Sequence, residues 1–465
     1  MKRCLSLICC LVLSVNVLAN LSVAQETRLN ASLAEVNVSL TPFQNLPRGQ
    51  EHTLLRIHGS NTIGESLAPS LAAAYLKAKG AQNIQIQNLP VANERMITGD
   101  LPEQGKRVSI YIAAHGSSTG FKRLLNGEAD LWAASRAAKA GEIEKGSALG
   151  NLRAPGSEHV VAIDGLAIIV NPNNSVSALS KKQVGQIFSG EVDNWSQLGG
   201  PNRAISLYAR DNKSGTWDSF KSMVLAGEYS LHDQAYRFES SDDLVNNVLA
   251  DPGAIGFVGL GFIKDAKLVA VSDGPAQAFR PSTMTVATED YALSRRLFLY
   301  SAKEIDNPYA REFLQFSQGV QGQEIVSTEG FISQNVEAMQ VALTEDVPTD
   351  YRDLVDGAKR LSVNFRFKEG SATLDNKAQK DILRLVHYMQ QHPESELVLI
   401  GFGDKRKNAG RSQLLSKLRA MAVRRELARL GIYPDVSKGY GDYNPVAAFE
   451  RGGATKNRRV EVWLR

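Results

Sequence analysis

Arg210-Asp211-Asn212-Lys213-Ser214-Gly215-Thr216 runs directly into Trp217-Asp218-Ser219-Phe220. It puts a serine, a glycine and a threonine at the expected start of a helix. Such a start offers two hydroxyls and bare backbone N–H groups, and the helix dipole favours an anion there. Arg210, four residues before Ser214, can add a two-pronged guanidinium grip on an oxyanion. Working outward, two further loops have the same make-up. Gly59-Ser60-Asn61-Thr62 lies between an expected strand and a helix, and Gly116-Ser117-Ser118-Thr119-Gly120 also precedes a helix. Each alone reads as an ordinary N-cap. Three in one domain, with Arg210, point to an anion site.

The elements around these loops alternate. Leu54 to His58 reads as a strand, and Gly64 to Lys79 as a helix with Leu67, Leu71, Ala74 and Ala78 on one face. Ile84-Gln-Ile86 and Val108 to Ala113 read as strands, and the alternation continues to about residue 340, which predicts an α/β architecture. A stretch this long is expected to split into two lobes around a cleft. Ligands in such folds sit at strand ends and helix starts, where the three loops fall.

The expected layout is a targeting segment over 1–24, a flexible lead-in over 25–50, a two-lobed domain over 51–339, a linker over 340–355 and a small domain over 356–465. Lys2 and Arg3, the apolar run Leu5 to Leu18 and Ser22-Val23-Ala24 fit an export signal cleaved near Ala24. All three cysteines (Cys4, Cys9, Cys10) lie inside it, so the mature chain has no disulfide or thiolate site. The apolar run before Cys10 is very short for a lipoprotein signal. The formal net charge of +4 is unevenly spread. Residues 351–465 hold 23 Lys and Arg against 13 Asp and Glu. This reads as a solvated basic face suited to an anionic polymer or membrane surface, with no nucleic-acid partner for an exported protein.

The large domain, Leu54 to Ala338, resembles the phosphate-binding periplasmic proteins of phosphate ABC transporters. The matching stretches are the three loops above, Ala133-Ala-Ser-Arg136, Asp164-Gly-Leu-Ala-Ile-Ile-Val-Asn171, Ile187-Phe-Ser-Gly190 with Asn194-Trp195, Pro252-Gly-Ala-Ile-Gly-Phe257 and Tyr291-Ala-Leu-Ser-Arg295. The resemblance implies a type II periplasmic-binding-protein fold whose two lobes close on a desolvated phosphate. It implies Ser60, Thr62, Ser118, Thr119, Arg136, Asp164, Arg210, Ser214, Gly215 and Thr216 as binding residues, and an ABC permease as partner. One departure matters: many such proteins carry an Asp where Arg136 stands. A site without that proton acceptor favours a fully ionised anion such as sulfate, with Asp164 or Asp211 as alternative acceptors.

The C-terminal segment carries Gly401-Phe-Gly-Asp404, then Leu415-Ser-Lys-Leu-Arg419-Ala420, then Asn457-Arg-Arg-Val-Glu461. Asp404 falls in a strand-to-helix loop, and Arg419 in a helix whose apolar stripe is Ala420, Val423, Leu427 and Leu430. Arg419 lies about 100° off that stripe and is expected to be exposed toward the loop. The order β-α-β-α-β fits one small domain. With Phe365-Arg-Phe367 and Ser371-Ala-Thr-Leu374 as framing motifs, the segment resembles the OmpA-like peptidoglycan-binding domain. The resemblance implies that Asp404 and Arg419 grip the ammonium and carboxylate of diaminopimelate in the stem peptide. That family often has Thr at Gly403 and Asn at Ser412. A plain salt bridge between Asp404 and Arg419 is the simpler alternative. Arg458 and Arg459 read as braces of the last strand.

No HExxH pair, Walker loop or GxGxxG fingerprint occurs, and the seven histidines are scattered. No cofactor or metal is expected. The reading is an exported, non-enzymatic oxyanion binder held non-covalently on peptidoglycan, in the periplasm or at the outer membrane. The alternatives are a wall-associated phosphatase using Ser214 and a scaffold or sensor with a retuned anion site.

Overall fold

The computed structural model describes residues 27, 30, 33–44, 46, 51–212, 214–343, 347–368, 371–404, 409–448 and 453–465. The expected targeting segment, its cysteines and the basic loop Lys405-Arg406-Lys407 lie outside them. The strands of the large domain are β1 (Glu51–Gly59), β2 (Gln82–Asn88), β3 (Glu94–Leu101), β4 (Lys106–Ala113), β5 (Leu131–Ala134), β6 (Glu158–Val170), β7 (Ala178–Ser180), β8 (Ser206–Arg210), β9 (Tyr236–Phe238), β10 (Ala254–Gly259), β11 (Lys267–Leu268), β12 (Ala270–Ser272) and β13 (Ser294–Tyr300). They run in the order β2-β3-β4-β1-β5-β13-β6-β10-β8-β9, with β11 beside β6 and a separate β12-β7 pair.

This path makes two lobes that share β6. Its residues up to Gly165 pair with β13, and those from Leu166 to Val170 pair with β10. From Val160 onward β6 is buried throughout, as its unbroken apolar run requires of a strand covered on both faces. One core gathers Leu55, Ile57, Leu71, Tyr75 and Phe313, and a second gathers Ile168, Phe188, Trp195, Phe220 and Phe257. The two-lobed α/β fold is as expected. The first helix differs in detail: Asn61–Gly64 and Leu67–Ala78 are separate, and the buried face is Leu67, Leu71, Ala72, Tyr75 and Leu76. Tyr75 turns the face because its ring packs edge-on against Phe313 at 5.6 Å.

The small domain adds β14 (Ala338–Met339), β15 (Lys359–Arg366), β16 (Leu397–Gly401), β17 (Val436–Gly439) and β18 (Arg459–Leu464), ordered β14-β15-β18-β16-β17. Helices Asn376–Gln391 and Ala409–Ala428 pack on one face through Leu385, Val386, Val423 and Leu427. The short edge strands β14 and β17 carry too little apolar pattern to be read in advance.

Two segments depart from expectation. The described residues of 340–355, a stretch read as a linker, pack into the small domain. Its helix Thr349–Val355 buries Tyr351 and Val355 against Val398, Ile400 and Trp463 on the other sheet face. Pro348 suggested a break but stands as the N-cap of that helix. The lead-in read as flexible is also packed where described. Val36 and Phe43 are buried, and Phe43 N–H donates to Lys79 O at 3.2 Å. Glu35 pairs with Lys380 of the small domain. No helix among the described residues is long and apolar enough to cross a membrane.

Candidate functional site

Two of the three Ser/Thr/Gly loops, 59–62 and 116–120, converge with the 133–136 loop because their strands are neighbours. β1 lies between β4 and β5, parallel to both. The loops at their carboxyl ends are stitched together by Gly116 N–H to Gly59 O at 2.7 Å and Ser60 N–H to Ala133 O at 2.9 Å. Gly59 has φ 145°, and a Cβ there would meet Ala133 O at 2.0 Å, so only glycine allows this approach.

The third Ser/Thr/Gly loop, at Ser214-Gly215-Thr216, follows β8 in the other lobe and reaches across. Thr62 Oγ1 donates to Gly215 O at 3.0 Å. A Cβ on Gly215 would sit 2.3 Å from Thr62 Cα, so the two helix starts touch backbone to backbone. Thr62 also accepts from Arg295 Nη2 at 2.8 Å. Arg295 Nε pairs with Asp164 Oδ2 at 3.0 Å, which takes Ser219 Oγ at 3.1 Å as well. Arg295 and Asp164 are register partners on β13 and β6, where both strands pass between the lobes. Burial lowers the Arg295 pKa, opposed by Asp164, and burial raises that of nearby Asp218.

A hydroxyl has one proton and two acceptor lone pairs. Arg295 fills a lone pair on Thr62, so the Thr62 proton must point to another acceptor. Ser118 is treated alike: Arg136 Nη2 donates to its Oγ at 3.0 Å. Arg136 is fixed by Glu142 through contacts of 2.8 and 2.7 Å. The position where an acid was expected thus carries a clamped arginine that turns a serine into a donor.

The other expected residues are placed as follows. Ser60 and Ser214 are buried N-caps, with Ser214 Oγ accepting from Thr216 N–H at 3.1 Å. Thr119 turns its hydroxyl to His115 O. Arg210 does not offer a free fork here. Its N–H groups go to Phe238 O at 3.3 Å, Glu239 O at 2.6 Å and Ser241 Oγ at 2.5 Å. Burial lowers its pKa, with Glu65, Asp211 and Glu239 opposing. Arg295, Ser219 and Glu142 were missed as site residues. Arg295 sat in a matching stretch, but its inward direction is set by strand pairing. No group of three His, Cys, Asp or Glu side chains that could hold a metal is found among the described residues.

In the small domain, Asp404 Oδ2 accepts from Arg458 Nη1 at 3.0 Å. Arg458, read as a brace, therefore reaches the expected site. Arg419 is only 6% exposed, against the expectation of an outward side chain. It lies under the 402–404 loop, with Nη1 3.4 Å from Phe402 O and its guanidinium 5.8 Å from the Phe367 ring. A Cβ on Gly403 would meet Arg419 Nη1 at 2.9 Å, the far end of a flexible side chain.

Residues 57–319 match the PBP superfamily domain. The chain belongs to that superfamily. Residues 366–459 match the OmpA family. The phosphate-binding protein PstS of Bacillus subtilis (strain 168) is 30% identical over 56% of this chain and 81% of its own length. Protein SphX of Synechococcus elongatus is 30% identical over 55% of this chain and 77% of its own. A solved ABC-type phosphate transport receptor from Vibrio cholerae aligns with 60% of this chain and 99% of its own, at 24% identity and TM-score 0.46. The fusion of a PstS-like PBP domain to an OmpA domain is thus established. The loops joining Thr62, Gly215, Arg136 and Arg295 all belong to the PBP domain, and Asp404 and Arg419 to the OmpA domain.

Proposed function

We propose that the protein captures phosphate or a related oxyanion between the lobes of its PBP domain and is held on peptidoglycan by its OmpA domain. One observation carries the first half. Ser118 Oγ has a lone pair taken by an Arg136 N–H, which leaves its proton for an incoming acceptor, while the Thr62 proton goes to Gly215 O across the lobes. An oxyanion supplies acceptors only. The helix starts capped by Ser60 and Ser214 add N–H donors, and Gly215, Thr216, Thr119, Arg136, Asp164 and Arg210 complete the proposed lining. Asp164 takes Arg295 and Ser219 on Oδ2.

The wall half rests on Asp404 and Arg419, opposite charges suited to the zwitterionic centre of diaminopimelate. Retention in the periplasm, delivery to an ABC permease, or sensing all use the same binding step. A hydrolytic role draws no support from Ser214: among the described residues its hydroxyl has no His, Asp or Glu hydrogen-bond partner. Calorimetric titration with phosphate and with sulfate, in phosphate-free buffer, tests the first half. Heat with at least one anion is expected, and no heat with either overturns it. Co-sedimentation with purified sacculi tests the second; undiminished retention of an Asp404→Ala/Arg419→Ala variant overturns that.

A further inference from the structure

Arg295 and Arg296 are consecutive on β13, and successive strand residues point to opposite faces. Arg295 faces the interlobe contact with Thr62 and Asp164. Arg296 faces the OmpA domain. Its Nη1 donates to Asp375 Oδ2 at 2.8 Å, and Nε and Nη2 take both oxygens of Glu289 at 2.6 and 2.8 Å. Asp375 is the N-cap of the OmpA helix Asn376–Gln391.

Glu289 and Asp290 sit just before β13 and form the centre of the junction. Arg360 Nη2 reaches Asp290 at 2.7 Å, Arg366 lies within 3.5 Å of both acids, and Asn364 donates to Asp290 Oδ1 at 3.0 Å. Lys456 Nζ donates to Tyr291 O and to Ser294 Oγ, each at 3.2 Å. Glu289 has φ 59°, a left-handed conformation costly for a non-glycine residue. The bidentate Arg296 contact and Arg366 hold it there.

We propose that Arg296 is a positioning residue for the cleft: through it, the OmpA domain fixes β13 and with it the Arg295–Thr62 contact, so that domain seating and oxyanion affinity are linked. The anion side of this rests on the reading given above. Arg296 touches no part of the cleft itself, so its effect must travel along one residue of backbone. Linkage makes the effect reciprocal: a bound oxyanion that steadies Arg295 also steadies the domain junction.

The test uses the full mature chain with Arg296→Ala, Arg296→Lys and Asp375→Asn, and Arg429→Ala as a remote surface control. Hydrogen exchange without ligand reads the coupling directly. Faster exchange over 59–64 and 214–220 is expected in Arg296→Ala, with partial rescue by Arg296→Lys. Phosphate titration is expected to show affinity lowered by about tenfold in Arg296→Ala, within the usual range of coupling between sites, and by less in Asp375→Asn. Unchanged exchange and unchanged affinity in Arg296→Ala would overturn the proposal. A wild-type chain that binds neither phosphate nor sulfate removes the oxyanion reading instead, and the exchange data alone then decide the coupling.

Discussion

Asp404 and Arg458 form an ion pair of 3.0 Å in which neither side chain is more than one-tenth exposed. Arg419 lies under the same 402–404 loop, with Nη1 3.4 Å from Phe402 O. Removing one partner of a buried pair costs roughly 3–5 kcal/mol. Arg458→Ala should therefore lower the melting temperature of the OmpA domain and reduce retention on sacculi. Wild-type retention by a folded Arg458→Ala variant would show that Asp404 needs no such support.

Gly403 offers a cleaner probe of the same place. A side chain there meets the far end of Arg419, which can swing, rather than backbone. Gly403→Thr should leave thermal stability within about 1 kcal/mol, the usual range for a tolerated change, while altering sacculus binding. A melting curve and a co-sedimentation assay on the same sample separate the two effects.

Gly215 is the opposite case. Its added Cβ would strike Thr62 backbone atoms at 2.3 and 2.5 Å. Backbone cannot yield as a side-chain tip does, so Gly215→Ala should keep both lobes folded but hold them apart. Overpacking of this kind costs roughly 1–3 kcal/mol, or about 5- to 150-fold in phosphate affinity. Calorimetry reads the loss, and small-angle scattering should show a larger radius of gyration with phosphate present than the wild type has.

His159 gives a pH signature. Burial, with a smaller push from Lys380 of the OmpA domain, lowers its pKa from 6.5 to about 4, against opposition from Gln318. The folded state therefore binds the proton more weakly than the unfolded chain. Its contribution to stability is complete above pH 6.5 and is lost as pH falls toward 4. Melting temperature should decline across that window, and His159→Gln should flatten the decline. An identical pH profile in the variant would assign the decline to other groups.

The sequence made the two-lobed fold and the anion loops legible because both rest on local signals. Gly/Ser/Thr at strand ends and apolar steps in the helices need no distant partner. The domain junction was not legible for the opposite reason. Glu289, Asp290 and Arg296 stand far in sequence from Arg360, Arg366, Lys456 and Arg459, and only the folded chain brings them together. The basic excess over 351–465 was read as a solvated face. In the structure Arg360 and Arg366 are turned inward against Glu289 and Asp290, and Arg459 against Glu461 at 2.8 Å. Arg136 was noted as a departure, but its effect on Ser118 depends on Glu142, a clamp that spacing alone did not reveal. Arg419 was expected outward because helix periodicity does not foresee a loop folding over it.

β14 is the last piece of chain before the small domain, yet Ala338 and Met339 already pair with Leu361 and Arg360 inside that domain's sheet. A tensile load on one domain thus reaches the other as shear between β14 and β15 and across the buried ion pairs. On the proposed function, a surface that holds the OmpA domain would bear on the orientation of the PBP domain through these pairs.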